Sequence, residues 1–287
     1  MKQAASDLRA GGRTLALVPT MGALHEGHMS LVRRASREAD AVVVSIFVNP
    51  AQFGPAEDFT RYPRRLERDL ERLAPLGVEA VFAPDADAMY PPGFATWVEP
   101  GPLAARLEGA SRPGHFRGVL TVVLKLLSIV RPDVAVFGQK DFQQARLVSR
   151  LIRDFDLATR LIVSPIVREP DGLALSSRNA YLNPEDRLAA LALYRSLERV
   201  RILAEAGETD ALLIVQEVRK TLDGEPRVET DYATIVDAAN LEPVERVTQG
   251  VVALVAARVG PVRLIDNLIL GPAGATDEER LRLVSAA

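Results

Sequence analysis

An unbroken apolar run, Ala41-Val-Val-Val-Ser-Ile-Phe-Val48, constrains this chain more than any other stretch. A strand with one wet face alternates apolar and polar residues; a run without alternation is buried on both faces, as in a parallel sheet covered by helices. The residues before it agree: Thr14 to Val18 is a β-rich run, and Gly27 to Glu38 carries Met29, Leu31, Val32 and Ala35 at helical spacing. The unit is therefore β-α-β, with parallel strands and a right-handed crossover. Further strands at Val78 to Phe82, Val134 to Phe137 and Leu161 to Val163 alternate with helices at about Arg64 to Leu73, Val119 to Val130 and up to about Arg153. That order predicts an α/β domain, prefaced by a short amphipathic helix over 2–10.

The pattern changes further on. Ile166 to Leu175 has Asp171-Gly172 as the turn of a hairpin. Asn183-Pro184 opens a helix running to about Ala206, and a second spans about Asp210 to Leu222. Strands near Val228 to Val236, Val251 to Val255 and Val262 to Asn267 complete a separate α+β set, and only a short polar tail follows Gly271. The boundary is placed near Leu175, giving a catalytic domain over 1–175 and a smaller domain over 176–287. Two domains suit a chain of 287 residues.

Within the first domain, Leu17 to His28, L-V-P-T-M-G-A-L-H-E-G-H, breaks an apolar run at a Pro/Gly turn and restarts as a helix carrying two imidazoles. His25 and His28 are three apart, so they share one helix face. At a helix start the unpaired N–H groups and the positive end of the dipole favour an anion, most often a phosphate, and keep an imidazole neutral. Gly27 lets a ligand approach the backbone. Such a pair alone is also compatible with a structural cap or two metal ligands, although the chain has no Cys and the spacing is not H-E-x-x-H. The same order of strand, Gly turn and helix start returns at Gly138-Gln-Lys-Asp-Phe-Gln-Gln144. Lysine occurs only at 2, 125, 140 and 220, and histidine only at 25, 28 and 115, so few residues can supply a compact ammonium or an imidazole. Ser176-Ser-Arg-Asn179 offers two hydroxyls and a guanidinium, fit for a phosphate loop or for a plain helix cap. The polar loop Asn49 to Pro63 leaves the carboxyl end of a parallel strand, where long loops are more often functional than connective. Arg112, His115 and Arg117 form a basic cluster able to hold an anion or a partner subunit.

The strings P-T-M-G-A-L-H-E-G-H, F-G-Q-K-D-F-Q-Q and S-S-R-N, with R-P-G-H-F-R-G-V and the Asn49 to Gly54 loop in the same order, closely resemble the pantoate:β-alanine ligases (pantothenate synthetases) of the HxGH nucleotidyltransferase superfamily. The resemblance covers the chain up to Asn179. It implies a Rossmann-like N-terminal domain, a smaller C-terminal lid, a homodimer joined through the N-terminal domain, ATP as co-substrate and Mg²⁺ dependence. The implied reaction makes a coenzyme A precursor in two steps: pantoate is adenylated with release of pyrophosphate, then the β-alanine amine displaces AMP. His28 is implied as proton donor, with His25, Lys140, Ser177 and Arg178 also catalytic. ATP contacts are implied for Met21, Gly22, Ala23, Leu24, His25, Glu26, Gly27 and His28, for Gly138, Gln139, Lys140 and Asp141, and for Leu175, Ser176, Ser177 and Arg178, with Val167 lining the adenine pocket. Gln52 and Gln144 match the substrate-binding glutamines, whose amides both donate and accept. Asp69 is the candidate for a water-mediated Mg²⁺ contact. Two departures stand out: a short N-terminus before Thr14, and Gln139 where the family commonly has Glu, for which tuning and not loss is expected.

Another HxGH-type nucleotidyltransferase acting on a small carboxylate or phosphate is the alternative enzyme, and a silent nucleotide-binding protein the alternative outside enzymes. With net charge −3 the chain has no general attraction for nucleic acid or an anionic membrane, and without Cys, a membrane-length apolar run or a signal-peptide core it is expected in the cytoplasm.

Overall fold

A computed structural model describes residues 1–55, 57–272 and 274–285. The strands β1 (Leu15–Thr20), β2 (Ala41–Ile46), β3 (Ala80–Phe82), β4 (Val134–Gly138) and β5 (Arg160–Ser164) form one sheet in the order β3-β2-β1-β4-β5. Every neighbouring pair is parallel. Alternate residues of the buried strands feed two cores. Leu15, Leu17, Val43 and Ala135 pack with the helix His115–Val130 and with Leu147, Val148 and Leu151, whereas Ala16, Val18, Val42, Val44 and Val136 pack with the helix Glu26–Glu38 and Leu73. This Rossmann-like layering is why the strands read as unbroken apolar runs.

The chain runs outward from β1 through β2 to β3, then crosses back to place β4 on the other side of β1. At such a switch point the loops leaving neighbouring strands diverge and open a crevice at their carboxyl ends.

The chain forms two compact units, Met1–Gly138 with Gln143–Ser164 and Gln139–Phe142 with Pro165–Ala287. In the second unit β6 (Val228–Asp237), β7 (Val251–Val259) and β8 (Val262–Ile269) form an antiparallel sheet in that order. Leu193, Leu197 and Val200 from the helix Leu191–Glu205, and Ile214, Val218 and Leu222 from Ala211–Asp223, share one core with Ile235, Val255 and Leu264 of the strands.

Several boundaries differ from the sequence expectation. The units part at Ser164 and Pro165 and not near Leu175, because the hairpin that follows is tied into the second unit. Arg168, bridged to Ala174, grips Asp266 of β8 with two bonds of 2.6 and 2.9 Å and lies over the Tyr194 ring. The expected single helix from 184 to 206 is Pro184–Ala189 followed by Leu191–Glu205, although Ala190 between them keeps right-handed backbone angles. The helix expected from Val119 begins at His115, after a left-handed Gly114. The tail after Gly271 contains a helix, Asp277–Ser285. Its signal was a capping box: the Glu279 carboxylate accepts from the Thr276 backbone N–H, and the Thr276 hydroxyl accepts from the Glu279 N–H.

Candidate active site

The turn after β1 is built by contacts from three directions. The Thr20 hydroxyl donates to Ser45 O at 2.7 Å and accepts from Gly22 N–H at 3.2 Å. Gly22 has φ +81°, and a Cβ there would stand 3.0 Å from Asp69 Oδ2 and 3.1 Å from Ile46 Cγ2. Ala23 is also left-handed, at φ +50°. Consecutive N–H groups turned inward in this way form a small anion-binding concavity. Asp69 fills it: Oδ2 accepts from Ala23 N–H at 2.9 Å and Oδ1 from Leu24 N–H at 2.8 Å, with the residue only 2% exposed. Arg72, one turn further along the helix Leu66–Leu73, donates to Leu24 O. The residue expected at a water-mediated Mg²⁺ contact thus has both oxygens occupied in holding the histidine turn.

His25 is the N-cap of Glu26–Glu38 and His28 its third helical residue. His28 Nδ1 accepts from the His25 backbone N–H at 3.2 Å, as the Glu or Gln of a capping box does. A His28 ring that accepts there carries its proton on Nε2. The two rings lie 4.1 Å apart. Glu26 pairs with Arg33 on the exposed side of the helix.

The loop after β2 orients Gln52. Asn49, 1% exposed, caps the turn Pro50–Gln52, and its Nδ2 donates to Gln52 Oε1 at 3.0 Å and to Gly118 O at 3.1 Å. Asn49 Oδ1 accepts from the Tyr90 hydroxyl at 2.8 Å. Burial pushes the Tyr90 phenol up to about 12, against the smaller opposing pull of the Asn49 bond, so it stays a donor. With its oxygen engaged, Gln52 turns Nε2 toward Met21 Sδ, at 3.1 Å. Gly118 makes this packing possible, since a Cβ there would lie 2.1 Å from Ala51 O. The structure thus brings Gln52 against the histidine turn. Gln144 lies half-buried on the helix Phe142–Asp154, and no hydrogen bond links it to Gln52. Asn49 and Tyr90 were not singled out from sequence; Asn49-Pro50 at a strand end is a legible cap, but nothing local marks Tyr90.

Within the expected basic cluster, Arg112 and His115 stay in contact while Arg117 takes other partners. Arg117 pairs with Glu99 and stacks over Trp97. Arg112 grips both oxygens of Glu57, at 2.6 and 2.9 Å, and approaches His115 Nε2 at 3.0 Å. Burial pushes the Glu57 carboxyl up, and the bonds and charge of Arg112 outweigh that and hold it below its ordinary range. His115 Nδ1 meets the backbone oxygen of Gln52 at 2.8 Å, which can only accept. The ring must then donate from Nδ1 and accept Arg112 at Nε2, and a second proton has no place. Burial first, and the Arg112 charge second, push His115 down from 6.5 to about 4. Above 6.5 neither folded nor unfolded chain carries this proton; between 6.5 and about 4 only the unfolded chain does, so stability is lost as pH falls through that window. The loss should approach roughly 3 kcal/mol near pH 4. Denaturant melts of the protein and of His115→Gln between pH 7 and 4, both about those values, should differ by that extra slope; parallel curves would refute the assignment.

In the second unit, Lys140 sits in the short turn Gln139–Asp141 and its ammonium has no ion-pair or hydrogen-bond partner among the described residues. By contrast, Lys125 lies over the Phe94 ring and Lys220 pairs with Glu217. Val167 and Leu175 meet across the hairpin, where Leu175 N–H donates to Val167 O at 3.0 Å. Ser176 caps the turn Ser177–Tyr181, its hydroxyl accepting from Arg178 N–H. Asn179 ties the turn back to Glu169 and to Ala174 O.

The family model described as pantoate-beta-alanine ligase matches residues 1–269. A pantothenate synthetase of Thermotoga petrophila is 55% identical over 271 residues, covering 94% of this chain and 97% of that one. One of a Roseiflexus species is 54% identical, covering 90% and 92%. The crystal structure of pantothenate synthetase from Thermus thermophilus matches with a TM-score of 0.89 at 48% identity, over 93% of this chain and 98% of that one. A Francisella tularensis pantoate-beta-alanine ligase, complexed with beta-gamma ATP and beta-alanine, matches with a TM-score of 0.75 at 37% identity, over 93% and 94%.

Proposed function

Because the chain belongs to the pantoate-beta-alanine ligase family, we propose that it reaches its product, pantothenate, through an acyl adenylate. The enzyme is a ligase that joins pantoate to β-alanine, with ATP as co-substrate. In the proposed course a pantoate carboxylate oxygen attacks the α-phosphorus of ATP, the bond from that phosphorus to the bridging oxygen breaks, and pyrophosphate leaves. The β-alanine amine then attacks the acyl carbon, loses a proton and expels AMP. Displacement at phosphorus needs positioning and charge stabilisation more than covalent help.

The observation that carries this reading is the His25 N–H bond to His28 Nδ1, which commits the His28 proton to Nε2 beside a helix start. From there it donates to phosphate oxygens as charge builds, with His25 beside it. Gln52, its oxygen held by Asn49, offers N–H groups to pantoate, and Gln144 is assigned to the same substrate. Lys140 supplies a point charge to the phosphates, and Ser176, Ser177 and Arg178 hydroxyls and a planar fork. Gly138, Gln139 and Asp141 accompany Lys140, and Val167 and Leu175 the adenine.

Mg²⁺ enters as a companion of the triphosphate. Asp69, each of its oxygens taking one backbone N–H bond, is assigned to it through water, and no cluster of three or more His, Cys, Asp or Glu side chains gathers among the described residues. Among the described residues the side chains do not form a resident metal cage. A homodimer and a cytoplasmic location belong to the same proposal; no helix among the described residues is long and apolar enough to cross a membrane.

Isotope exchange tests the course. Labelled pyrophosphate should enter ATP when pantoate is present and β-alanine absent, and AMP should accumulate only with both. Exchange without pantoate would mean that a different acid is activated.

A further inference from the structure

Gln139 and Lys140 follow β4 directly in the chain yet belong to the second unit. One side chain of that unit holds both residues. Asn267, 1% exposed on β8, accepts at Oδ1 from Gln139 Nε2 at 3.0 Å. Its Nδ2 donates to the backbone oxygens of Gln139 and Lys140, each at 3.0 Å. The amide is thus spent on the peptide units flanking Lys140. The preceding residue, Asp266, holds the other nucleotide segment: it takes both bonds from Arg168, whose Nη1 also reaches Gly172 O, and its Oδ1 accepts from Asn267 N–H at 2.8 Å. Two consecutive residues of β8 therefore anchor the Lys140 turn and the hairpin that leads to Ser176–Arg178.

A lysine is a point charge on a flexible stem, so its usefulness to a phosphate depends on how firmly its backbone is held. We propose that Asn267 is a positioning residue for the ligase reaction, fixing the Gln139–Lys140 backbone so that the Lys140 ammonium meets the ATP phosphates. This rests on the phosphate role given to Lys140. No sequence motif marks Asn267, because its partners lie 128 and 127 residues away. The bonds also bear on Gln139: its amide nitrogen donates to Asn267 Oδ1, which a carboxylate at that position could not do.

The test is a double-mutant cycle on the full-length enzyme with Lys140→Ala, Asn267→Ala and both together, read as kcat, KM for ATP and KM for pantoate. Asn267→Ala should cost about 10- to 100-fold in kcat/KM for ATP, with KM for pantoate within about twofold. The double variant should be no worse than Lys140→Ala alone. Asn267→Asp, which sets a carboxylate against two carbonyl oxygens, should be at least as impaired. Hydrogen exchange should quicken at 139–142 while β6 and β7 keep their protection. If Lys140→Ala is impaired and the two losses multiply in the double variant, Asn267 does not act through Lys140 and the inference is overturned. If Lys140→Ala alone leaves the ATP kinetics intact, the phosphate role falls first and the positioning role with it. Should Asn267→Ala not fold, Asn267→Ser, a smaller side chain that still donates, carries the same cycle.

Discussion

His28→Ala should lower kcat by about 10²–10³-fold, the usual cost of removing one preorganised donor from a developing anion. The substitution removes two things at once, the Nε2 proton and the acceptor that engages the His25 N–H at 3.2 Å. Loss of the cap costs about 1 kcal/mol, which should appear as a modest drop in melting temperature. His28→Gln separates the two. A glutamine at the third helical position can accept the same backbone N–H, so stability should return, but its donor does not stand where the imidazole Nε2 does, so activity should not. Steady-state kinetics beside thermal melts decide the matter, and a His28→Ala enzyme within threefold or so of the parent kcat would remove His28 from the chemistry.

Asp69→Ala should damage both fold and function. Its carboxylate satisfies the N–H groups of Ala23 and Leu24, in a turn where Gly22 and Ala23 are both left-handed. Hydrogen bonds to a charged group contribute about 1.5–3 kcal/mol each, so losing the pair should cost about 3 kcal/mol or more in denaturant melts. His25 follows Leu24 directly, and misplacing the histidines by about 1 Å should cost about 10²-fold in kcat/KM. Asp69→Asn retains one acceptor but faces the other N–H with an amide NH₂, so it should fall between. A loss of activity with unchanged stability, recovered by raising Mg²⁺, would instead favour the water-mediated metal contact.

The candidate site was unevenly legible. The strands, the glycine turn, the histidine pair and the Lys140 turn were readable because each is a local pattern, and the parallel sheet follows from unbroken apolar runs. Ordered strings in the first part of the chain pointed to the family, which the match over residues 1–269 shows. The Arg112, His115 and Arg117 group looked basic in one dimension. In three dimensions Glu57 and Glu99 neutralise the arginines, and a backbone oxygen settles the histidine tautomer.

By itself the sequence determined the α/β alternation, the helix start that carries two histidines, the short roll of lysines and histidines, and the ordered strings that resemble the family. These depend on residue type and short spacing, which are local. Only the tertiary structure decided what holds those groups in place. Asp69 lies 46 residues from Ala23, Tyr90 lies 41 from Asn49, and Asn267 lies 128 from Gln139. Such pairings carry no periodicity and no turn signature. They exist because the packed core brings distant elements together and leaves each buried polar atom needing a partner that only the fold can supply.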